Sequence, residues 1–440
     1  MNNVEMIEKS TMKKVKWRIL PFVFLLYIIS FIDRGNIGYA ALDMNTALGI
    51  SSTVFGLLSG IFFIGYFLFE VPSNILLHRL GAKIWISRIL ISWGIIVMLT
   101  TWVKNVEELY ILRFLLGIAE AGLFPGIILY LTYWFPAKDQ ARAVALFMLG
   151  IPVSNIISGP LSTWIMSNVH GWGLEGWQWL FFWEGLPAVV IGIIAIFFLV
   201  DRPEKAKWLS KEEKHWLANT LENENKEKLG SKKHSITEVL KIPKVWRFSI
   251  IYLTVTMGSY AISLWMPTIV SLFSKILTDF QVGLISIIPF IFGGICMMFW
   301  SKNSDRTGER RFHTSLPPLF GAIGLVISAT SHSPIVMLIG LTMAAIGIYC
   351  FFGPFWPLPN AFLSKEMAAV GLAVINSIGN IGGFLGPYAI GYLKDATGSV
   401  SSGLYFLCGG LILGFLLTVT LPKTSVKASG AHVKDKRIEN

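Results

Sequence analysis

Twelve segments of mostly apolar residues follow one another along this chain. They lie at about 18–40, 53–77, 84–103, 108–134, 143–166, 179–200, 247–272, 280–300, 314–331, 335–358, 368–392 and 402–421. A helix needs about 20 such residues to cross the hydrocarbon core of a bilayer. Within lipid, every backbone donor and acceptor must be satisfied by the spanning structure itself, so runs of this length read as transmembrane helices. Composition agrees. Only 14% of the residues are charged and 54% are hydrophobic, whereas a soluble domain carries about 25% charged residues. The basic and then apolar start imitates a signal peptide. However, its apolar run contains Asp33 and Arg34 and has no small-residue cleavage site, so it reads as a retained first span.

Most connections are short. The exception is 201–246, polar and nearly balanced in charge, which splits the chain into six spans plus six. The expected division is a six-helix bundle over 1–200, a cytoplasmic linker over 201–246, a second six-helix bundle over 247–424 and a cytoplasmic tail over 425–440. With the amino terminus placed in the cytoplasm, only Lys104, Lys275 and Lys394 of the 37 lysines and arginines fall in outer loops, and Arg34, Arg88 and Arg113 fall within spans. The positive-inside rule therefore puts both termini in the cytoplasm of a multi-pass protein of the cell inner (plasma) membrane. The net charge of +11 is thereby a topological signal. No nucleic-acid motif accompanies it, and no nucleic-acid partner is expected.

The two halves repeat. Arg79 and Arg306, Gly81 and Gly308, and Gly159-Pro160 and Gly386-Pro387 are each 227 residues apart, at matching places in each half. Parallel repeats of this kind place a substrate site between the halves, near the midplane, and rock to expose it alternately. An integral-membrane enzyme is the remote alternative. No phosphate-binding loop, zinc-helix motif or nucleophile elbow supports it. The three cysteines, Cys296, Cys350 and Cys408, lie inside spans without metal-ligand spacing. No cofactor is expected.

Ionisable groups at membrane depth are costly and mark ion or substrate paths. Asp33 and Arg34 lie in the first span, and Arg113 and Glu120 lie in the fourth. Arg113 and Glu120 are seven residues apart, about 700° around a helix, so they share a face. At 1.5 Å per residue, Asp33 and Arg34 sit roughly 20 Å above the cytoplasmic end of span 1, and Glu120 sits about 10 Å deeper than Arg113. The expected pairing is crosswise, Asp33 with Arg113 and Glu120 with Arg34. A carboxylate substrate that draws an arginine away leaves the carboxylate without its partner, so that it takes up a proton. Span 10 offers no charge over Gly347–Pro354. In span 11, Asn376 and Asn380 share a face, and Tyr66 of span 2 can reach the same cavity. Glu70 and Glu184 are expected nearer the membrane faces, in structural roles.

Two loops carry a family likeness. The run Ser301-Lys-Asn-Ser-Asp305-Arg306-Thr-Gly308-Glu309-Arg310 and its counterpart at 74–83 resemble the repeated loop motif of the major facilitator superfamily, with His78 replacing the motif's aspartate in the first copy. The resemblance implies an all-α membrane protein, 12 transmembrane helices in two six-helix pseudo-repeat bundles. It also implies a cytoplasmic latch built from Arg79, Asp305, Arg306 and Arg310. The run Arg113-Phe-Leu-Leu-Gly-Ile-Ala-Glu120-Ala-Gly-Leu-Phe-Pro125-Gly is similar to the span-4 signature of the anion:cation symporters in that superfamily. Gly176-Trp-Gln-Trp-Leu-Phe181 and Asp201-Arg-Pro203 look most like the branch of tartrate, 4-hydroxyphenylacetate and phthalate permeases. The likeness implies proton coupling through Asp33 and Glu120 and binding of a small organic anion by Arg34 and Arg113, with Tyr66, Asn376 and Asn380 nearby. It further implies a monomer in the lipid bilayer that takes up a hydroxy- or aromatic carboxylate or a sugar acid together with protons. An exchanger or exporter of the same fold is the alternative.

Overall fold

The computed structural model describes residues 3–229, 236–273, 276–360, 362–363 and 365–422, so Lys275 and the tail 425–440 lie outside the described residues. Apart from one bridge between Gly171 and Leu174, the regular structure among them is helical. Twelve helical segments are long and apolar enough to cross a membrane: Val4–Ala47, Ser52–Leu77, Ala82–Trp102, Val106–Thr132, Leu146–Asn168 and Gly176–Phe198, then Pro243–Ser271, Asp279–Thr307, Arg311–Thr330, Pro334–Pro359, Val370–Thr397 and Val400–Val419. They are called spans 1–12 below.

Span 1 begins well before its apolar part. The basic segment ahead of residue 18 continues the helix because it has a partner. Lys14 Nζ meets both carboxylate oxygens of Glu213, at 2.8 and 2.9 Å, and Ser10 Oγ donates to the same group at 2.7 Å. Glu213 belongs to the linker helix Lys211–Leu229. Burial pushes its carboxyl up, but Lys14, the Ser210 amide and Ser10 together hold it below the usual glutamate range. The linker helix and the amino-terminal helix thus lie on one side of the molecule, called here the terminus side.

The loop copies are capped differently from what the motif suggests. Asp201, at the end of the first half, accepts from the Lys83 amide at 2.8 Å at the start of span 3. Glu309 does the same for span 9, taking the Phe312 and His313 amides at 2.7 and 3.0 Å. A carboxylate at a helix start satisfies donors that otherwise have no partner, so Asp201 supplies an anion where the motif's aspartate is missing. Of the expected latch, Asp305 pairs with Arg310 at 2.7 Å.

The two halves meet most closely on the side away from the termini. A methyl group on Gly38 would lie 2.6 Å from Leu264 O, one on Gly56 2.6 Å from Pro387 O, and one on Gly159 2.6 Å from Gly283 O. Span 1 therefore lies main chain against main chain on span 7, span 2 on span 11, and span 5 on span 8. Small residues permit this approach between membrane helices. Asp395 of span 11 reinforces it by accepting from the Ser52 and Thr53 amides, at 3.2 and 2.7 Å, at the start of span 2.

Candidate functional site: a polar cavity between the two halves

Several spans break where they pass the centre. Span 4 is interrupted directly after Glu120: Ala121 is extended and Gly122 takes φ 87°, a left-handed conformation that glycine adopts without steric cost. Ser73 Oγ donates to the freed Ala121 carbonyl at 2.6 Å and accepts from Trp85 Nε1 at 2.9 Å. A side chain on Gly122 would strike Ser73. Non-helical backbone at membrane depth is tolerated where protein buries it. Here that burial holds Glu120 at the end of a helix.

The central cavity has walls from both halves. Arg34, Tyr66, Arg113 and Asn155 face it from the first, and Tyr252, Tyr260, Tyr349, Asn376 and Asn380 from the second. Arg34 Nε donates to Glu120 Oε1 at 2.7 Å, and Ser30 Oγ reaches the same oxygen at 2.5 Å. Arg34 Nη1 contacts Tyr260 OH at 3.4 Å across the interface, while Nη2 is buried without a partner. The guanidinium lies 5.1 Å from the Tyr66 ring centre. Arg113 holds on by one long contact, Nε to Leu58 O at 3.5 Å. Both guanidinium carbons lie 5.4 Å from the centre of the Phe62 ring. A charge stacked on an aromatic face is favoured by the ring quadrupole, so Arg113 is positioned largely by a π-face, Arg34 by Glu120 and π-faces together, and both keep N–H donors for a ligand.

One expected pair is absent. Asp33 does not bond Arg113. Its Oδ2 accepts from Trp93 Nε1 of span 3 at 2.5 Å, and its Oδ1 has no partner. Adjacent residues on a helix point about 100° apart. With Arg34 turned to the cavity, Asp33 is turned into its own bundle. It is 1% exposed and does not line the cavity.

Of the two carboxylates expected nearer the faces, Glu184 lies deeper than expected and Glu70 has a partner in the other half. Glu184 is 3% exposed and lies in the electrostatic field that Asp33 feels. It is eight residues into span 6, about 12 Å deep. Glu70 is buried and bridges the halves: Asn376 Nδ2 donates to Oε1 at 3.3 Å and Ser377 Oγ to Oε2 at 3.1 Å. Asn376 thus faces the cavity and the bridge at once.

Several wall residues escaped the sequence reading. Tyr252, Thr256, Tyr260 and Ser263 form a polar stripe down span 7, spaced at three or four residues, which is a helical periodicity readable in the sequence. Asn155 gave less warning. It donates to Tyr349 OH at 3.0 Å and accepts from Ser263 Oγ at 2.9 Å, tying span 5 to spans 7 and 10.

The Major Facilitator Superfamily model matches residues 23–387. A protein of Agrobacterium vitis named "Putative tartrate transporter" is 48% identical over 96% of this chain and 93% of its own length. The "Quinolone resistance transporter" of Acinetobacter baumannii is 40% identical over 93% of this chain and 94% of its own. The "Inner membrane transport protein RhmT" of Escherichia coli is 34% identical over 96% and 98%. Among solved structures, a D-xylose-proton symporter superposes with a TM-score of 0.74 at 15% identity, over 94% of this chain and 99% of that one.

Proposed function

We propose that this chain, which belongs to the major facilitator superfamily, imports a small organic anion together with protons. It is a secondary transporter with twelve membrane-spanning helices, not an enzyme. The observation that carries the finer reading is the Arg34–Glu120 pair on the cavity wall, with Arg34 Nη2 unpartnered. A carboxylate in the cavity can take the free edge of Arg34 and the donors of Arg113, since a guanidinium fork matches a carboxylate bidentately. Drawing Arg34 toward the anion strips Glu120 of its cation. A desolvated carboxylate without a cation then binds a proton. Anion and proton enter together, and the halves rock about the loaded site.

Tartrate is the first probe, because a relative covering nearly the whole chain carries that name. Asn376, Asn380 and the tyrosines supply donors and acceptors suited to hydroxyl groups beside a carboxylate. In this reading the protein acts as a monomer, the bundles span 1–200 and 247–424, and Arg79, Asp305, Arg306 and Arg310 release and re-form contacts on the cytoplasmic side. Both termini are cytoplasmic, so a cysteine at position 104 should react with an impermeant reagent from outside and one at 205 should not.

The test is purified protein in liposomes, with tartrate uptake and proton entry followed together. Accumulation driven by an inward proton gradient supports the reading. Tartrate exchange that ignores the gradient overturns symport in favour of an exchanger. The relative named for quinolone resistance favours a second reading, export. Uptake into inverted vesicles would support it.

A further inference from the structure

The first half buries more acid than it pairs. Among the described residues, Asp33, Glu70, Glu120 and Glu184 are buried carboxylates of the spans, against the guanidiniums of Arg34 and Arg113 on the cavity and of Arg88, which is half-buried and donates to Ala119 O. Only Glu120 has an ion pair. Glu70 is held by neutral donors at the mouth of the cavity. Asp33 and Glu184 remain, inside the bundle and off the cavity wall.

Their surroundings share an unusual property. Asp33 Oδ1 is buried without a hydrogen-bond partner, and beyond Ser162 the carboxylate of Glu184 has only the amide of Asn36 beside it, out of good hydrogen-bond geometry. Asn36 follows Asp33 by three residues, so it lies on the same side of span 1, and it lies beside Glu184. Native interiors hold only a few unsatisfied groups per hundred residues. Here the two carboxylates have neither a cation in contact nor a full set of donors, a lack that a proton can make good. The other groups near it are few. Trp93 donates to Asp33, Ser162 donates to Glu184, and Tyr39, Glu120 and Arg113 lie within electrostatic range. None is a cation in contact with Glu184.

A route reaches this patch from the cavity. Ser162 Oγ donates to Glu184 Oε1 at 2.6 Å, and Ser158 Oγ lies 3.4 Å from Ser162 Oγ. Ser158 stands behind Gly35, which lines the cavity. The first carbon of a side chain on Gly35 would lie 3.8 Å from Ser158 Oγ. With no side chain at Gly35, only that glycine stands between the cavity and the Ser158 hydroxyl at this point of the wall.

We propose that Glu184 is a second proton carrier, loaded from the cavity through the hydroxyls of Ser158 and Ser162. This rests on the proton-coupled reading above and adds a site that the anion does not touch. A protonated water in the cavity gives a proton to Ser158 Oγ, Ser158 passes its own to Ser162, and Ser162 passes its own to Glu184 Oε1. One O–H bond breaks in the cavity and one forms on Glu184, with the serines unchanged. A buried carboxylate with no cation in contact favours its protonated form, so Glu184 holds a proton readily. Losing it leaves an unpaired buried charge, a strong drive to release the proton only when Arg113 or an opening to water can compensate.

The experiment needs no substrate in its first arm. Infrared difference spectra of the full chain in liposomes, recorded on a pH change, should show a protonated-carboxyl band that Glu184→Gln removes. Ser162→Ala should slow its appearance, and Ser162→Thr, which keeps the hydroxyl, should restore it. In the second arm, tartrate is followed under a proton gradient. Glu184→Gln should lower the protons carried per tartrate while counterflow stays within about twofold of the parent, since substrate contacts are intact. An unchanged band and unchanged proton-to-tartrate ratio in Glu184→Gln would overturn the proposal. A loss in Ser162→Ala that Ser162→Thr does not restore would overturn the hydroxyl route. If the parent moves tartrate without protons, the symport reading fails, and the infrared band still decides whether Glu184 titrates. Should Glu184→Gln not fold, the two Ser162 variants carry the test.

Discussion

Arg34 and Glu120 are joined through one guanidinium nitrogen and one carboxylate oxygen, at 2.7 Å, while the far edge of the guanidinium points at Tyr260 of the other half and at the cavity. The pair is strong enough to neutralise a buried charge and open enough to be exchanged. Truncating one member of such a pair costs about 3–5 kcal/mol because the other is left charged and dry. Glu120→Gln avoids part of that cost by keeping shape and an acceptor. It should abolish accumulation of tartrate against its gradient and leave counterflow measurable. Concentrative uptake with normal proton entry in Glu120→Gln would show that the pair only fastens span 1 to span 4.

Arg113 is held by π-faces and one weak contact, so its donors are uncommitted. Arg113→Lys keeps the charge but loses the planar fork. Tartrate affinity should fall by about tenfold or more, the effect of one charged hydrogen bond of ~1.5–3 kcal/mol. The ligand-induced thermal shift measures this. A shift equal to that of the parent would remove Arg113 from the binding site.

Glu70, Asn376 and Ser377 close the terminus side of the cavity with two hydrogen bonds. Glu70→Ala should let that side open more often. A cysteine at Ser259, on the cavity wall, in a background lacking Cys296, Cys350 and Cys408, should react about tenfold faster from that side if buried bonds of ~1–3 kcal/mol are lost. Equal labelling rates would mean that the closure lies elsewhere.

The clamp between Lys14 and Glu213 has a pH signature. The folded-state carboxyl of Glu213 lies below its ordinary value of 4.5. Its contribution is complete above the unfolded value and disappears as pH falls through the folded one. The protection of Lys211–Leu229 amides against hydrogen exchange, relative to the intrinsic rate at each pH, should therefore be high at neutral pH and fall on acidification below about pH 4.5. Glu213→Gln should show the low protection at neutral pH. A protection factor that is independent of pH in the parent would refute the clamp.

How much of this could be read from the residues alone depends on the range of the interaction. Span number and the place of Arg34, Arg113, Tyr66, Asn376 and Asn380 on the cavity follow from apolar length and helical phase, which are local. The Glu120–Arg34 pair was also reachable, because depth on two helices is simple arithmetic. The Asp33–Arg113 pair failed where a third helix intervened: Trp93 on span 3 offers Asp33 an indole N–H, and no spacing within spans 1 or 4 reports that. Glu184 was misplaced for a related reason. Its distance from the predicted span end understated its depth, because the helix begins at Gly176, three residues before the apolar run. The partners of Glu70 come from span 11, which delivers Asn376 and Ser377 against it, and no spacing within span 2 reports them.

The two closures of the cavity are made of different material. One is side-chain hydrogen bonding, which can be broken a bond at a time. The other is main chain seated on main chain at Gly38, Gly56 and Gly159, which has no intermediate fit. A solute arriving on the glycine side meets a competent site only in the fraction of molecules that have unseated it, and its apparent affinity is weakened in proportion to that fraction. One binding site thereby presents two different affinities to the two sides of the membrane. Gly56→Ala, which touches no ligand, should tighten apparent binding from the glycine side alone, because the added methyl spoils the seat and enlarges the open fraction.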